Sequence, residues 1–130
     1  MCDHLNLTVN NLNKSISWYQ KIFGFEPVES GIFNKTPWTI VRRENFMLCL
    51  YEEPERKMIR EIDSYLHRIF HFGLMISDLP KFKRDLENKE LIKSIYGPIR
   101  YPHSTSWYIN DPTGYEIEAV AWDQGIRFGK

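Results

Sequence analysis

Cysteine is scarce in this chain: two in 130 residues. Cys2 follows Met1 and Cys49 lies far downstream, so no disulfide framework is in place, and a reducing compartment is the simpler setting. Long apolar runs are lacking too: nothing approaches the roughly 18–20 consecutive apolar residues of a membrane span. No basic stretch followed by an apolar run opens the sequence, so no signal peptide is legible. An excess of charge is also absent. Lys plus Arg and Asp plus Glu stand at 17 each, with no basic run, so neither nucleic acid nor a membrane surface is an expected partner. The reading is a soluble, cytoplasmic protein.

What the chain has is enough material for one domain with a core. Hydrophobic residues make up 42% and charged residues 26%, the balance of an ordinary globular protein. His4-Leu5-Asn6-Leu7-Thr8-Val9 alternates, placing Leu5, Leu7 and Val9 on one face and His4, Asn6 and Thr8 on the other. Asn10-Asn11 breaks this strand and caps a helix over Leu12–Phe23, which Gly24 stops. Three strand signals follow: a short one over Phe25–Ser30, weak or at an edge because of Pro27, then Trp38–Val41 and Phe46–Tyr51. Arg42-Arg43-Glu44-Asn45 suits the hairpin turn between the last two. The charged segment from Glu52 to Arg68 reads as a connection, with one helical turn around Met58–Tyr65 and His67 at its surface.

The first half then recurs. His4/His71, Leu5/Phe72, Leu7/Leu74, Val9/Ile76, Asn11/Asp78, Leu12/Leu79 and Lys14/Lys81 share one ungapped offset, which indicates an internal duplication. His71–Ile76 is the repeated strand. Leu79, Phe82 and Leu86 begin the repeated helix, with Asp78 as its cap. A strand over Leu91–Tyr96 ends at Gly97-Pro98, and Pro102-His103-Ser104-Thr105 forms a loop. A hairpin follows, with Asp111-Pro112-Thr113-Gly114 as its turn and Glu116 and Glu118 on its second strand. The expected fold is α+β: two tandem βαβββ modules, each an antiparallel sheet backed by one helix, together a curved mixed-sheet cup around a metal site. Module one spans about 1–52, a linker about 53–68, module two about 69–122 and a polar tail 123–130.

A carboxylate on the apolar strand running into Ala119-Val120-Ala121 is costly unless something pairs with it. By parity, Glu118 shares the free face with His4 and His71, and two imidazoles with one carboxylate make a facial site for a divalent ion: Zn, Fe, Ni or Mn. Glu116, two residues earlier, is the spare carboxylate. Ser106 and Tyr108 face the same way, since they alternate with Trp107 and Ile109; Tyr108 is a hydrogen-bond donor to substrate or a plain hairpin aromatic. Asn6, Thr8 and Met75 line the pocket, and Trp38 forms an apolar wall or packs in the core. Arg100 and Arg127 attract an anionic substrate or are surface groups.

His4–Val9, Ser15-Ile16-Ser17-Trp18-Tyr19, Phe23-Gly24-Phe25, the His71 strand and Trp107–Glu118 jointly resemble the vicinal oxygen chelate superfamily. That group includes glyoxalase I, extradiol dioxygenases, methylmalonyl-CoA epimerase, fosfomycin-resistance thiol transferases and bleomycin-binding proteins. The resemblance implies paired βαβββ modules around one divalent ion, with His4, His71 and Glu118 as ligands. It implies a small substrate that chelates the ion through oxygen atoms; Tyr108 and Glu116, on the same strand face, are the candidate catalytic helpers. Isomerase or lyase, dioxygenase and thiol-transferase chemistry all remain open, as does a metal-independent drug-binding cup of the bleomycin-resistance type. Leu48 stands about where glyoxalase I has a fourth ligand. Asn6 and the Ile99–Ser104 loop depart from the fosfomycin enzymes, while Arg127 falls near their phosphonate-binding arginine. By the same analogy a homodimer is expected, with His4 from one subunit and His71 and Glu118 from the other.

Overall fold

The computed structural model describes residues 1–58, 65 and 67–125. The helical turn expected between Met58 and Tyr65 falls on residues outside that set, as does Arg127. The chain divides into two compact units, Met1–Leu66 with Pro112–Gly114, and His67–Asp111 with Tyr115–Lys130.

In the first unit, β1 (His4–Val9) leads into α1 (Leu12–Phe23) and then β2 (Glu26–Phe33), β3 (Thr36–Arg43) and β4 (Phe46–Glu52). The sheet order is β1-β4-β3-β2. α1 carries the chain to the far edge of the sheet, and the β2-β3-β4 meander then brings β4 back beside β1. The meander pairs are antiparallel, but β4 runs parallel to β1, so the sheet is mixed rather than antiparallel. Alternation decides which face is covered. Leu7, Val9, Val41, Leu48 and Leu50 are buried, as are Trp18, Tyr19, Ile22 and Phe23 of α1. Each such side chain contributes roughly 1.5–3 kcal/mol by leaving water. Edge-to-face ring contacts fix their packing, Trp18 on Tyr19 at 5.0 Å and Tyr19 on Phe25 at 6.0 Å.

Both ends of α1 are satisfied. The Lys14 amide donates to Asn11 Oδ1, and the Leu12 amide donates to Glu52 Oε2 at 2.8 Å. That carboxylate, from the end of β4, sits at the positive end of the helix dipole. Gly24 closes the helix at φ 73°, its amide reaching Gln20 O.

The second unit repeats the plan. β5 (Phe72–Met75), α2 (Leu79–Glu87), β6 (Ile95–Tyr101), β7 (Ser104–Asn110) and β8 (Glu116–Trp122) form a sheet of order β5-β8-β7-β6, with β5 parallel to β8. Leu74, Phe82, Ile92, Trp107, Ile109, Ile117 and Ala119 are its core. Phe82 of α2 meets Trp107 edge-on at 5.5 Å. The duplication extends to the caps: the Lys81 amide donates to Asp78 Oδ1, as the Lys14 amide does to Asn11.

Several boundaries differ from the sequence reading. Leu91 lies in a turn, and the strand expected to end at Gly97-Pro98 runs through it instead, as β6. β6 is an edge strand with a register shift between Tyr96 and Ile99, so proline's missing amide breaks no ladder bond there. β2 likewise extends past Ser30 to Phe33, since Pro27 sits at a register shift on the other sheet's edge. Arg42 and Arg43 belong to β3, leaving Glu44-Asn45 as the turn, and Ser104 and Thr105 belong to β7. Among the described residues no helix is long and apolar enough to cross a membrane.

Candidate metal centre

Strand register assembles a polar cluster on the second unit's sheet. Tyr108 of β7 pairs with Glu118 of β8, and Glu118 pairs with Gly73 of β5. His71 immediately precedes β5. Side chains two residues apart on a strand share a face, so Ser106, Tyr108, Glu116, Glu118 and His71 converge. Their opposite-parity neighbours, Trp107, Ile109 and Ile117, are buried in the core.

Both oxygens of Glu118 are engaged. Ser106, fully buried, donates its hydroxyl to Oε1 at 2.8 Å. His71 Nε2 lies 3.1 Å from Oε2. The other ring nitrogen, Nδ1, stands 3.5 Å from Glu116 Oε1, so the imidazole is flanked by two carboxylates. Tyr108 packs its ring edge-on against His71 at 5.4 Å. Its hydroxyl is 2.7 Å from that of Tyr101. The hydrogen bond to Tyr101, then burial, then the negative charge of Glu118 hold the Tyr108 phenol well above the usual tyrosine range. Tyr108 therefore stays protonated at neutral pH. It is a donor and not a ready base.

The remaining candidates lie elsewhere. His4 is in the first unit, half-exposed, with Nδ1 2.7 Å from Asp3 Oδ2. Asn6 and Thr8 follow it on the same face of β1 and line a cleft of about 370 Å³ within that unit. Trp38 is outside the buried core. It is half-buried and lies across Gly31, where any Cβ would come within 2.6 Å of its ring. Met75, 43% exposed, pairs in register with Val120 on the face of Glu118. Arg100 pairs with Asp123 at 2.7 Å and holds that carboxyl below its ordinary range. No group of three or more His, Cys, Asp or Glu side chains among the described residues is arranged to hold a metal ion.

Tyr101 and Tyr96 escape a parity reading. Tyr96 is the register partner of Tyr108, and Tyr101 lies an odd number of residues further on, which strict alternation would put on the opposite face; the register shift in β6 brings both to Tyr108. Phe33 at a hairpin end and Arg56 in a connection escape it as well, because such positions carry no periodic signal, whereas Tyr51 alternates with buried Leu48 and Leu50 along β4.

Residues 2–119 match the family model of the Glyoxalase/Bleomycin resistance protein/Dioxygenase superfamily. The chain belongs to that superfamily. Solved structures show the same fold at low identity. A glyoxylase/bleomycin resistance protein/dioxygenase domain from Frankia sp. EAN1pec aligns with TM-score 0.77 and 18% identity, over 97% of this chain and 94% of that one. A mutant fosfomycin resistance protein, FosX, from Listeria monocytogenes, complexed with Mn(II) and 1S,2S-dihydroxypropylphosphonic acid, aligns with TM-score 0.71 and 16% identity, over 92% and 90%. TnmS3, an antibiotic-binding protein from Streptomyces sp. CB03234, aligns with TM-score 0.67 and 16% identity, over 95% and 96%. No curated protein matches the chain.

The second unit brings together two donor types that a divalent ion takes, an imidazole and carboxylates, without a complete metal site among the described residues. An imidazole nitrogen and a carboxylate oxygen face one another, the carboxylate is oriented by a buried hydroxyl, and the far ring nitrogen has its own carboxylate. That last pairing is how metal-binding histidines are commonly steered.

Proposed function

We propose that this protein is a divalent-metal-dependent enzyme acting on a small substrate that approaches the ion through oxygen atoms. His71 and Glu118 are the proposed ligands. His4, at the repeat position matched to His71, is the proposed third. The observation that carries the reading is the double engagement of Glu118 by Ser106 and His71. The bound ion, one of Fe, Zn, Ni or Mn, supplies a Lewis acid that stabilises negative charge developing on a substrate oxygen.

The chain's own groups do the rest. Ser106 holds the Glu118 carboxylate in one rotamer. One carboxylate stands at each ring nitrogen of His71, Glu118 Oε2 at 3.1 Å from Nε2 and Glu116 Oε1 at 3.5 Å from Nδ1; a metal taken at Nε2 would need the proton on Nδ1, on the side of Glu116. Tyr108, kept protonated, donates a hydrogen bond to a substrate oxygen in the manner of an oxyanion-hole donor. Isomerase or lyase, dioxygenase and thiol-transferase chemistry all fit these parts. A homodimer and the module boundaries at about 52 and 69 belong to the same proposal.

A second reading is metal-independent binding of a small molecule. One observation favours it: at 3.1 Å, His71 and Glu118 satisfy each other without an ion. Titration calorimetry separates the two. Chelator-treated protein should bind Mn(II), Zn(II) or Ni(II), and Glu118→Gln should lose that binding. If the native chain and the variant behave alike, the metal reading fails and the binding protein stands.

A further inference from the structure

The first unit carries a cleft of about 370 Å³ on the free face of its sheet, and its lining is not explained by a metal site. That volume lies in the range of small-molecule pockets. Phe33 and Thr36 are paired across the hairpin end of β2 and β3. The two residues between them, Asn34 and Lys35, adopt left-handed φ of 48° and 66°, which turns the chain tightly. Phe33 stands at this rim with 64% of its surface exposed, a large aromatic that the core does not use. Tyr51 of β4 contributes a second ring. Arg56 supplies the cation. It meets Glu53 at a long 3.8 Å, with 65% of its side chain exposed.

We propose that this cleft binds a small aromatic carboxylate, its ring between Phe33 and Tyr51 and its anionic group on Arg56. A guanidinium presents a planar fork that matches a carboxylate in two hydrogen bonds. The contact to Glu53 is too long to occupy that fork. Asn34 and Thr36 add polar atoms to the lining of the cleft. The proposal deepens the reading above by naming a substrate class. It rests on that reading through β1 alone, since Asn6 and Thr8 of the cleft share the strand face of His4.

Titration calorimetry with benzoate, cyclohexanecarboxylate and benzylamine tests it, on chelator-treated and metal-loaded protein. Benzoate should bind in both preparations and more tightly than cyclohexanecarboxylate. Arg56→Gln should weaken benzoate at least about tenfold, the loss expected for a charge-assisted hydrogen bond. Glu53→Gln should tighten it by removing a like charge. Phe33→Leu should erase the preference for the aromatic acid. All three sites lie at the surface, and each variant is accepted only with an unchanged melting temperature. Failure of benzoate to bind, unchanged affinity in Arg56→Gln, or preferential binding of benzylamine that Glu53→Gln abolishes would each overturn the proposal. Benzoate binding without any metal binding would remove the metal reading alone. Metal binding without benzoate binding would remove the cleft proposal alone.

Discussion

A methyl group on Gly97 would lie 2.8 Å from the Ser106 carbonyl oxygen and 3.3 Å from both Ile99 N and Trp107 Cα. All three are backbone atoms, so none can step aside by changing rotamer. Gly97 also holds φ at +121°, a region that side chains rarely enter. The conformational cost for alanine is about 1–3 kcal/mol. Packing an extra methyl against backbone adds about 1–3 kcal/mol. Gly97→Ala should thus lose about 2–6 kcal/mol, which lowers Tm by at least about 5 °C in a domain of this size. Gly24→Ala is the control: φ is +73°, but nothing lies within 4 Å of its Cβ. It should lose only the backbone part, about 1–2 kcal/mol. Urea unfolding of both variants measures the difference. The clash also has a site readout, because pushing β7 away moves the Ser106 hydroxyl off Glu118. A Gly97→Ala variant as stable as Gly24→Ala, or within about 0.5 kcal/mol of the native chain, would refute the reasoning.

Removing the Glu52 carboxylate should cost α1 its Leu12 cap. Glu52→Ala should lose about 1 kcal/mol in urea unfolding, and Glu52→Gln, which keeps an acceptor oxygen, should lose less. Ser15 is fully buried with its hydroxyl unpaired among the described residues, so Ser15→Ala should leave stability unchanged or raise it by about 1 kcal/mol on the same assay. Tyr108 has a raised pKa in the folded state, so the folded chain holds that proton more tightly than the unfolded chain. Its contribution is complete below about pH 10, the ordinary tyrosine value, and is lost as pH rises above it. Tyr108→Phe should flatten that alkaline fall when urea midpoints are followed as a function of pH.

Much of the architecture was legible because duplication and alternation are strong signals. The matched caps at Asn11 and Asp78 and the matched helix starts at Leu12 and Leu79 follow the sequence repeat residue for residue. Parity alone put Ser106, Tyr108 and Glu118 on one face, and the register agrees. What escaped has a physical cause. Proline punctuates a strand only where its amide would be needed, and both Pro27 and Pro98 lie on edge strands beside register shifts. Those shifts hide the hydrogen bond between Tyr101 and Tyr108 from any period-two count. The Glu52 cap joins residues 40 positions apart and leaves no local trace. Within the site, the placement of His71 between Glu116 and Glu118 needed the register of β5 against β8, which a repeat offset alone does not set.

Elemental analysis of untagged protein, purified without chelator beside His71→Ala, tests the metal assignment most directly. The account predicts one divalent ion per chain in the native protein and its loss in the variant, with an unchanged far-ultraviolet circular dichroism spectrum. Native protein that carries no metal, and whose melting temperature rises with none of Mn(II), Zn(II), Ni(II) or Fe(II), would contradict it.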